Sequence, residues 1–211
     1  MKPFETCCFC DIVGGKYEYA DIDEPFASNS EFVAVASIGA LVEGWSLIIP
    51  KKHQLSMRNI YGCSVFADFV KSVLPPLVHQ YGPMISFEHG ANKEGSITAC
   101  GTNHAHLHLV PLGVSLLPEI QNSGLQWVQC QASKIASLSG QNEYLFYSEL
   151  YDKEVWQDPV GYLHVLKHPV SQFFRRLIAK RRGGVEVFDY RRFPHLDIAR
   201  QTRKVLVGSV A

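Results

Sequence analysis

The chain has 211 residues, 46% of them hydrophobic and 19% charged, enough for one large domain with a full core. No apolar run reaches the roughly 20 residues a membrane span needs, and Met1-Lys2-Pro3-Phe4-Glu5 carries no signal-like apolar region, so no membrane partner is expected. The formal net charge of zero hides an asymmetry: residues 1–166 hold 9 Lys/Arg against 17 Asp/Glu, and residues 167–211 hold 11 against 3. An acidic body with a basic tail implies either an anion-handling segment or a salt-bridged interface between the two parts.

Six cysteines (Cys7, Cys8, Cys10, Cys63, Cys100 and Cys130) without a leader argue for metal binding or buried thiols in a reducing cytoplasm rather than for a disulfide scaffold. Cys7 and Cys10 form a C-x-x-C pair, a spacing that lets two thiolates reach one metal ion from a tight turn. A redox pair competes with that reading, although no βαβ pattern surrounds it, and Cys8 could replace Cys7 as a ligand.

Glu31–Ala36 reads as a strand covered on both faces, and Leu47–Ile49 as a second one stopped by Pro50. His53 therefore falls just past a strand end, at the rim of a sheet. From Cys63 to Tyr81 the residues Phe66, Phe69, Val70, Val73, Leu74 and Leu77 follow helical spacing, with Pro75-Pro76 expected to kink or split the helix. His79 in this helix reads as structural or exposed. Met84–Gly90 is a third strand, joined by a polar loop to Cys100-Gly101-Thr102-Asn103.

Next comes His104-Ala105-His106-Leu107-His108-Leu109-Val110. On a strand the side-chain period is two, so the three histidines share one face, spaced by roughly 7 Å, and Ala105, Leu107 and Leu109 share the other. Beyond Pro111 the pattern predicts a helix over Gln126–Leu138 and strands at Glu143–Tyr147 and Tyr162–Leu166. Ser171 is expected to cap a helix that has Phe173, Phe174, Leu177 and Ile178 on one side and Arg175, Arg176, Lys180, Arg181 and Arg182 on the other. A last helix is expected over Leu196–Leu206.

Cys7, Cys10, His53 and one histidine of the 104–108 run would make a Cys₂His₂ set, the tetrahedral donor set of structural zinc. The remaining histidines would be free for chemistry, since neutral imidazole is a nucleophile and a strand fixes where its nitrogen points.

The histidine run resembles the signature of the histidine-triad superfamily. The resemblance extends to Cys7-x-x-Cys10-Asp-Ile-Val-Gly-Gly and to Gly44-x-x-Leu47-Ile-Ile-Pro50-Lys-Lys-His53, and so covers about residues 4–112. It implies an α+β fold, an antiparallel sheet packed with a long helix, over residues 1–118. Residues 119–211 are then a mixed α/β extension packed on the same domain. It implies a structural Zn²⁺ on Cys7, Cys10, His53 and His104, and a nucleotide substrate attacked at its α-phosphorus by His106. His108 would donate to a phosphate oxygen. Hydrolysis is the expected outcome; the alternatives are transfer to an acceptor other than water, or a catalytically silent zinc-stabilised binding protein. A homodimer is implied by the family, and nucleic acid is not, because no zinc-finger spacing follows the motif.

Two departures from the family pattern bear on the substrate. Glu88 stands where an asparagine is usual, and Cys100-Gly101 stand where Gln-Ser or Gln-Thr is usual. The candidates for holding substrate are therefore Glu88, Thr102 and Asn103 near the motif. Ser171, Gln172 and Arg175 join them at the start of the basic helix, where a helix N-terminus and guanidinium groups favour anions.

Overall fold

The apolar runs expected as strands form the centre of one antiparallel sheet in a computed structural model that describes residues 7–150, 156 and 158–208; Met1–Glu5 lie outside these residues. In chain order the elements are α1 (Cys8–Val13), α2 (Ala20–Asp23), β1 (Ala27–Ser28), β2 (Phe32–Ala36), β3 (Ser46–Pro50), α3 (Ser64–Tyr81), β4 (Met84–Gly90) and β5 (Leu107–Pro111). There follow α4 (Leu117–Gln121), β6 (Val128–Gln131), α5 (Ile135–Ser139), β7 (Tyr144–Leu150), β8 (Val160–Val165), α6 (Phe173–Arg181) and α7 (Leu196–Val207). The strand order is β1-β2-β3-β5-β4-β7-β8-β6, so β7, β8 and β6 continue the sheet begun by the N-terminal half. This is the α+β architecture expected from the sequence. Among the described residues no helix is long and apolar enough to cross a membrane.

Strict alternation sorts the side chains into two cores. Phe32, Ala34, Ile48, Leu107, Leu109 and Phe146 pack under Phe66, Phe69, Val70, Val73 and Leu77 of α3. Val33, Val35, Leu47, Ile49, Ile85, Phe87 and Tyr147 face the other way, partly covered by Phe174 and Ile178 of α6. The second face is the one that receives His106 and His108, because β5 pairs Leu47 with His108 on one side and Phe87 with His108 on the other.

Four local expectations are corrected. Pro75-Pro76 do not split α3, which runs unbroken from Ser64 to Tyr81. The carbonyls that lose their N–H partners belong to Lys71 and Ser72, both exposed, where water can replace them. Gln126–Leu138 is not one helix: Val128–Gln131 form β6 against β8, and only Ile135–Ser139 are α-helical. Pairing with the otherwise open edge of β8 overrides a helical apolar spacing there. His104 and His106 precede the ladder, which starts at Leu107, although they keep its alternation. Finally, α6 is entered through Gln172, in a left-handed conformation (φ 54°) with no side-chain cap, rather than through Ser171.

Tail and body meet through ion pairs of Arg181 with Glu119, Arg200 with Asp21 and Arg203 with Glu24. The salt-bridged reading of the charge asymmetry holds for these three arginines.

Glu88 is also corrected as a substrate-binding candidate. On β4 it alternates with Phe87 and His89, so it points to the α3 side. There its carboxylate accepts from Met57 N (2.7 Å), Tyr61 Oη (2.7 Å) and Tyr144 Oη (2.7 Å), and burial pushes its pKa up. Gly90, two residues on, leaves the room that the Tyr144 ring needs: a Cβ there would lie 2.2 Å from the ring. Glu88→Ala strands three buried donors and should cost about 3 kcal/mol in urea unfolding. An unfolding midpoint equal to that of wild type would show that the carboxylate does not hold these donors.

Candidate functional site

Cys7 precedes α1 and Cys10 lies in its first turn, which places both thiols against the strand end carrying His53 and the approach to β5 carrying His104. Cys7 Sγ is 3.3 Å and Cys10 Sγ 3.5 Å from His104 Nδ1, and Cys10 Sγ is 3.2 Å from His53 Nδ1. The four donor atoms all lie within 4.8 Å of one another. Zn–S bonds of 2.3 Å and Zn–N bonds near 2.05 Å at the tetrahedral angle put S and N roughly 3.6 Å apart, so the spacing fits one small tetrahedral ion. The outer contacts fit as well. His104 Nε2 donates to the Pro50 carbonyl (2.8 Å), which leaves Nδ1 bare toward the thiols, and Glu94 stands 3.8 Å from His53 Nε2. Cys8 is not in the cluster. It lines the neighbouring cavity.

That cavity, of about 680 Å³, opens over the second face of the sheet, with His89, His106 and His108 together in its lining. His106 is 8% exposed, and its Nδ1 donates to the carbonyl of His104 (2.8 Å). A carbonyl can only accept, so the proton sits on Nδ1 and Nε2 keeps its lone pair. The ring packs edge-on to Phe9 and to His108, at 5.2 Å and 4.7 Å between centroids. His108 stacks on Phe87 at 4.3 Å, and its Nδ1 is 3.0 Å from the indole nitrogen of Trp45. Burial lowers all three histidines: His106 to about 4, His89 to about 3, and His108 well below the usual imidazole range. The three rings are therefore neutral at pH 7.

The one strongly buried cation of this wall comes from α6. Arg175 is 4% exposed and donates from Nε to Phe188 O (2.8 Å) and from Nη2 to Gly39 O; its guanidinium lies 4.8 Å over the Trp45 ring. Among the described residues no carboxylate lies within ion-pair distance of it. Burial lowers it only to about 10, so it stays charged. Arg191 lines the same cavity beside Tyr190, whose hydroxyl donates to Cys100 O (2.7 Å).

The other sequence candidates divide. Thr102 lines the cavity, its hydroxyl donating to Ala99 O (2.8 Å). Asn103 closes the preceding loop by accepting from Gly95 N (2.9 Å), and it does not line the cavity. Gln172 donates from its backbone N to Cys100 Sγ (3.3 Å), and neither it nor Ser171 lines the cavity. Residues missed from the sequence are His89, Trp45, Tyr190 and Arg191. His89 carried a usable signal, since β4 alternation puts it on the same face as Phe87, beside the histidine run. Tyr190 and Arg191 carried none, because no local pattern brings them to the cavity.

No family model matches the chain, and no curated protein is detectably similar to it. Similar solved structures include histidine-triad proteins. One is described as a hypothetical histidine triad nucleotide-binding protein from Sulfolobus tokodaii, 21% identical over 50% of this chain and 68% of its own, with a TM-score of 0.40. A HIT family hydrolase from Clostridium thermocellum is 20% identical over 54% of this chain and 96% of its own (TM-score 0.37). A HIT family protein from Bacillus anthracis is 22% identical over 64% and 97% (TM-score 0.37).

The neutral state of His89, faced by His106, His108 and Arg175, has a consequence for stability. Its folded pKa of about 3 lies below the ordinary 6.5, so the unfolded chain binds the extra proton as pH falls. The stability is present in full above pH 6.5 and drops by about 1.4 kcal/mol per pH unit between pH 6 and 4 from this ring alone. In urea titrations across that range His89→Gln should show a slope shallower by about one proton. Equal slopes would mean that the ring is protonated in the folded protein.

Proposed function

We propose that this chain is a histidine-triad enzyme that cleaves a nucleotide at its α-phosphorus through a nucleotidyl-His106 intermediate, with water as the acceptor. The observation that carries this reading is the hydrogen bond from His106 Nδ1 to His104 O. It leaves a bare, neutral, desolvated Nε2 in a cavity large enough for a nucleotide, whose lining also holds a buried guanidinium with no carboxylate at ion-pair distance among the described residues. In the first step the Nε2 lone pair forms a bond to phosphorus, and the bond from phosphorus to the leaving group breaks with its electron pair. His108 donates to a non-bridging oxygen and so opposes the charge that gathers there. Arg175 holds the phosphate anion in line for attack, work that the charge and planar fork of a guanidinium do well. In the second step water attacks phosphorus and gives up a proton to solvent, the P–N bond breaks, and its electron pair returns to His106 Nε2.

Zn²⁺ on Cys7, Cys10, His53 and His104 would have all four positions filled by protein. It would therefore clamp α1 to the approach of β5 and take no part in the chemistry. Loaded protein should contain about one equivalent by metal analysis. Cys10→Ser should lose most of it and melt at a lower temperature. A mutant that keeps its metal would remove Cys10 from the ligand set.

A direct test of the nucleophile incubates the protein with labelled dinucleoside polyphosphates, nucleoside phosphoramidates and nucleotide sugars, then quenches it. Wild type should carry an acid-labile nucleotide label with at least one of them. His106→Ala should carry none and lose roughly 10³-fold or more in kcat/KM. Turnover that survives in His106→Ala would overturn the assignment.

A further inference from the structure

Nothing in the histidine run itself decides which nitrogen of His108 carries its proton. The decision comes from Trp45, just before β3. Its Nε1 lies 3.0 Å from His108 Nδ1, and both side chains are buried. An indole N–H can only donate, so His108 Nδ1 must be the acceptor, and the single proton of the neutral ring sits on Nε2.

Both rings are held in this register. His108 lies nearly parallel to Phe87 (4.3 Å, 21°), and Trp45 meets the same phenyl ring edge-on at 5.8 Å. Arg175 covers the Trp45 ring at 4.8 Å, where a cation attracts the electron-rich face and leaves the N–H a stronger donor. The helix that brings the buried charge to the cavity thus also presses on the group that sets the imidazole.

We propose that Trp45 is a positioning residue that holds His108 as its Nε2–H tautomer, and so as a hydrogen-bond donor into the cavity. The proposal rests on the reading of His108 as donor to the phosphoryl oxygen. With the opposite tautomer a bare Nε2 would face that oxygen, lone pair against lone pair, and the transition state would lose a donor at the atom where charge develops. Substrate in its ground state needs that donor less, so the loss should fall on kcat rather than on KM.

The test has one arm that needs no substrate. In zinc-loaded protein labelled with ¹⁵N-histidine, long-range ¹H–¹⁵N spectra at pH 7, with His108 assigned by its loss in His108→Asn, should show Nε2 protonated and Nδ1 bare. A protonated Nδ1 in wild type overturns the proposal outright. The second arm replaces Trp45 with benzothienylalanine, which keeps the shape of the indole and puts sulfur in place of N–H, alongside Trp45→Phe. His108 should then populate both tautomers, kcat should fall roughly 10- to 100-fold, and KM should stay within about twofold. An unchanged His108 spectrum or an unchanged kcat in the isostere refutes the role given to Trp45. If wild type turns over no nucleotide, the proposed function fails, while the resting-state spectrum still decides the tautomer.

Discussion

The hydrogen bond between His106 Nδ1 and the carbonyl two residues before it is the constraint on which the site depends. It works only if that carbonyl is itself immobile. The His104 ring reaches Pro50 O on the end of β3, and the Ala105 N–H reaches Gln54 O (2.6 Å), so the backbone is gripped on both sides of the acceptor. The Cys7, Cys10, His53 and His104 cluster adds a third grip from α1. Its value to the site is therefore indirect: it stills the peptide that fixes a proton on the neighbouring ring.

Burial does the rest by keeping the rings uncharged. Three histidines (His89, His106 and His108) line the cavity, and protonating any of them would place a cation in low dielectric near another ring, and for His89 and His108 near Arg175 as well. Repulsion and desolvation act in the same direction here, which keeps the imidazoles available as lone-pair donors and N–H donors at neutral pH. Arg175 escapes neutralisation because a guanidinium holds its proton far more tightly than an imidazole, and because two carbonyls and two aromatic faces partly replace its water. A cavity with neutral rings on one wall and a fixed cation on another favours an anionic ligand.

The segment after residue 118 serves the same site in an unequal way. Its strands extend the sheet from β4, three of its arginines are spent on acidic partners, and Arg175 and Arg191 turn to the cavity. The basic face of α6 was visible from helical spacing, but spacing alone could not say which of its cations faced water, which an acid and which a cavity. Burial separates them: Arg175 is enclosed, whereas Arg176 and Arg181, one and six residues on, stay nearer the surface.

The amino-acid sequence by itself determined the shared face of His104, His106 and His108, the two cores on either side of the sheet, and the approach of Cys7, Cys10 and His53 to one point. The first two follow from a local period that nearest neighbours decide, and the third from the ligand types and from the place of His53 just past a strand end, a contact across 43 residues that the fold then makes. Only the tertiary structure decided that Glu88 turns to two tyrosines on the far face, that β6 is a strand, and that His89 and Arg175 join His106 and His108 in one cavity lining. It alone placed the imidazole protons, because a tautomer is chosen by whichever donor or acceptor lies within about 3 Å. For His108 that group is an indole 63 residues away, delivered by the pairing of β3 with β5.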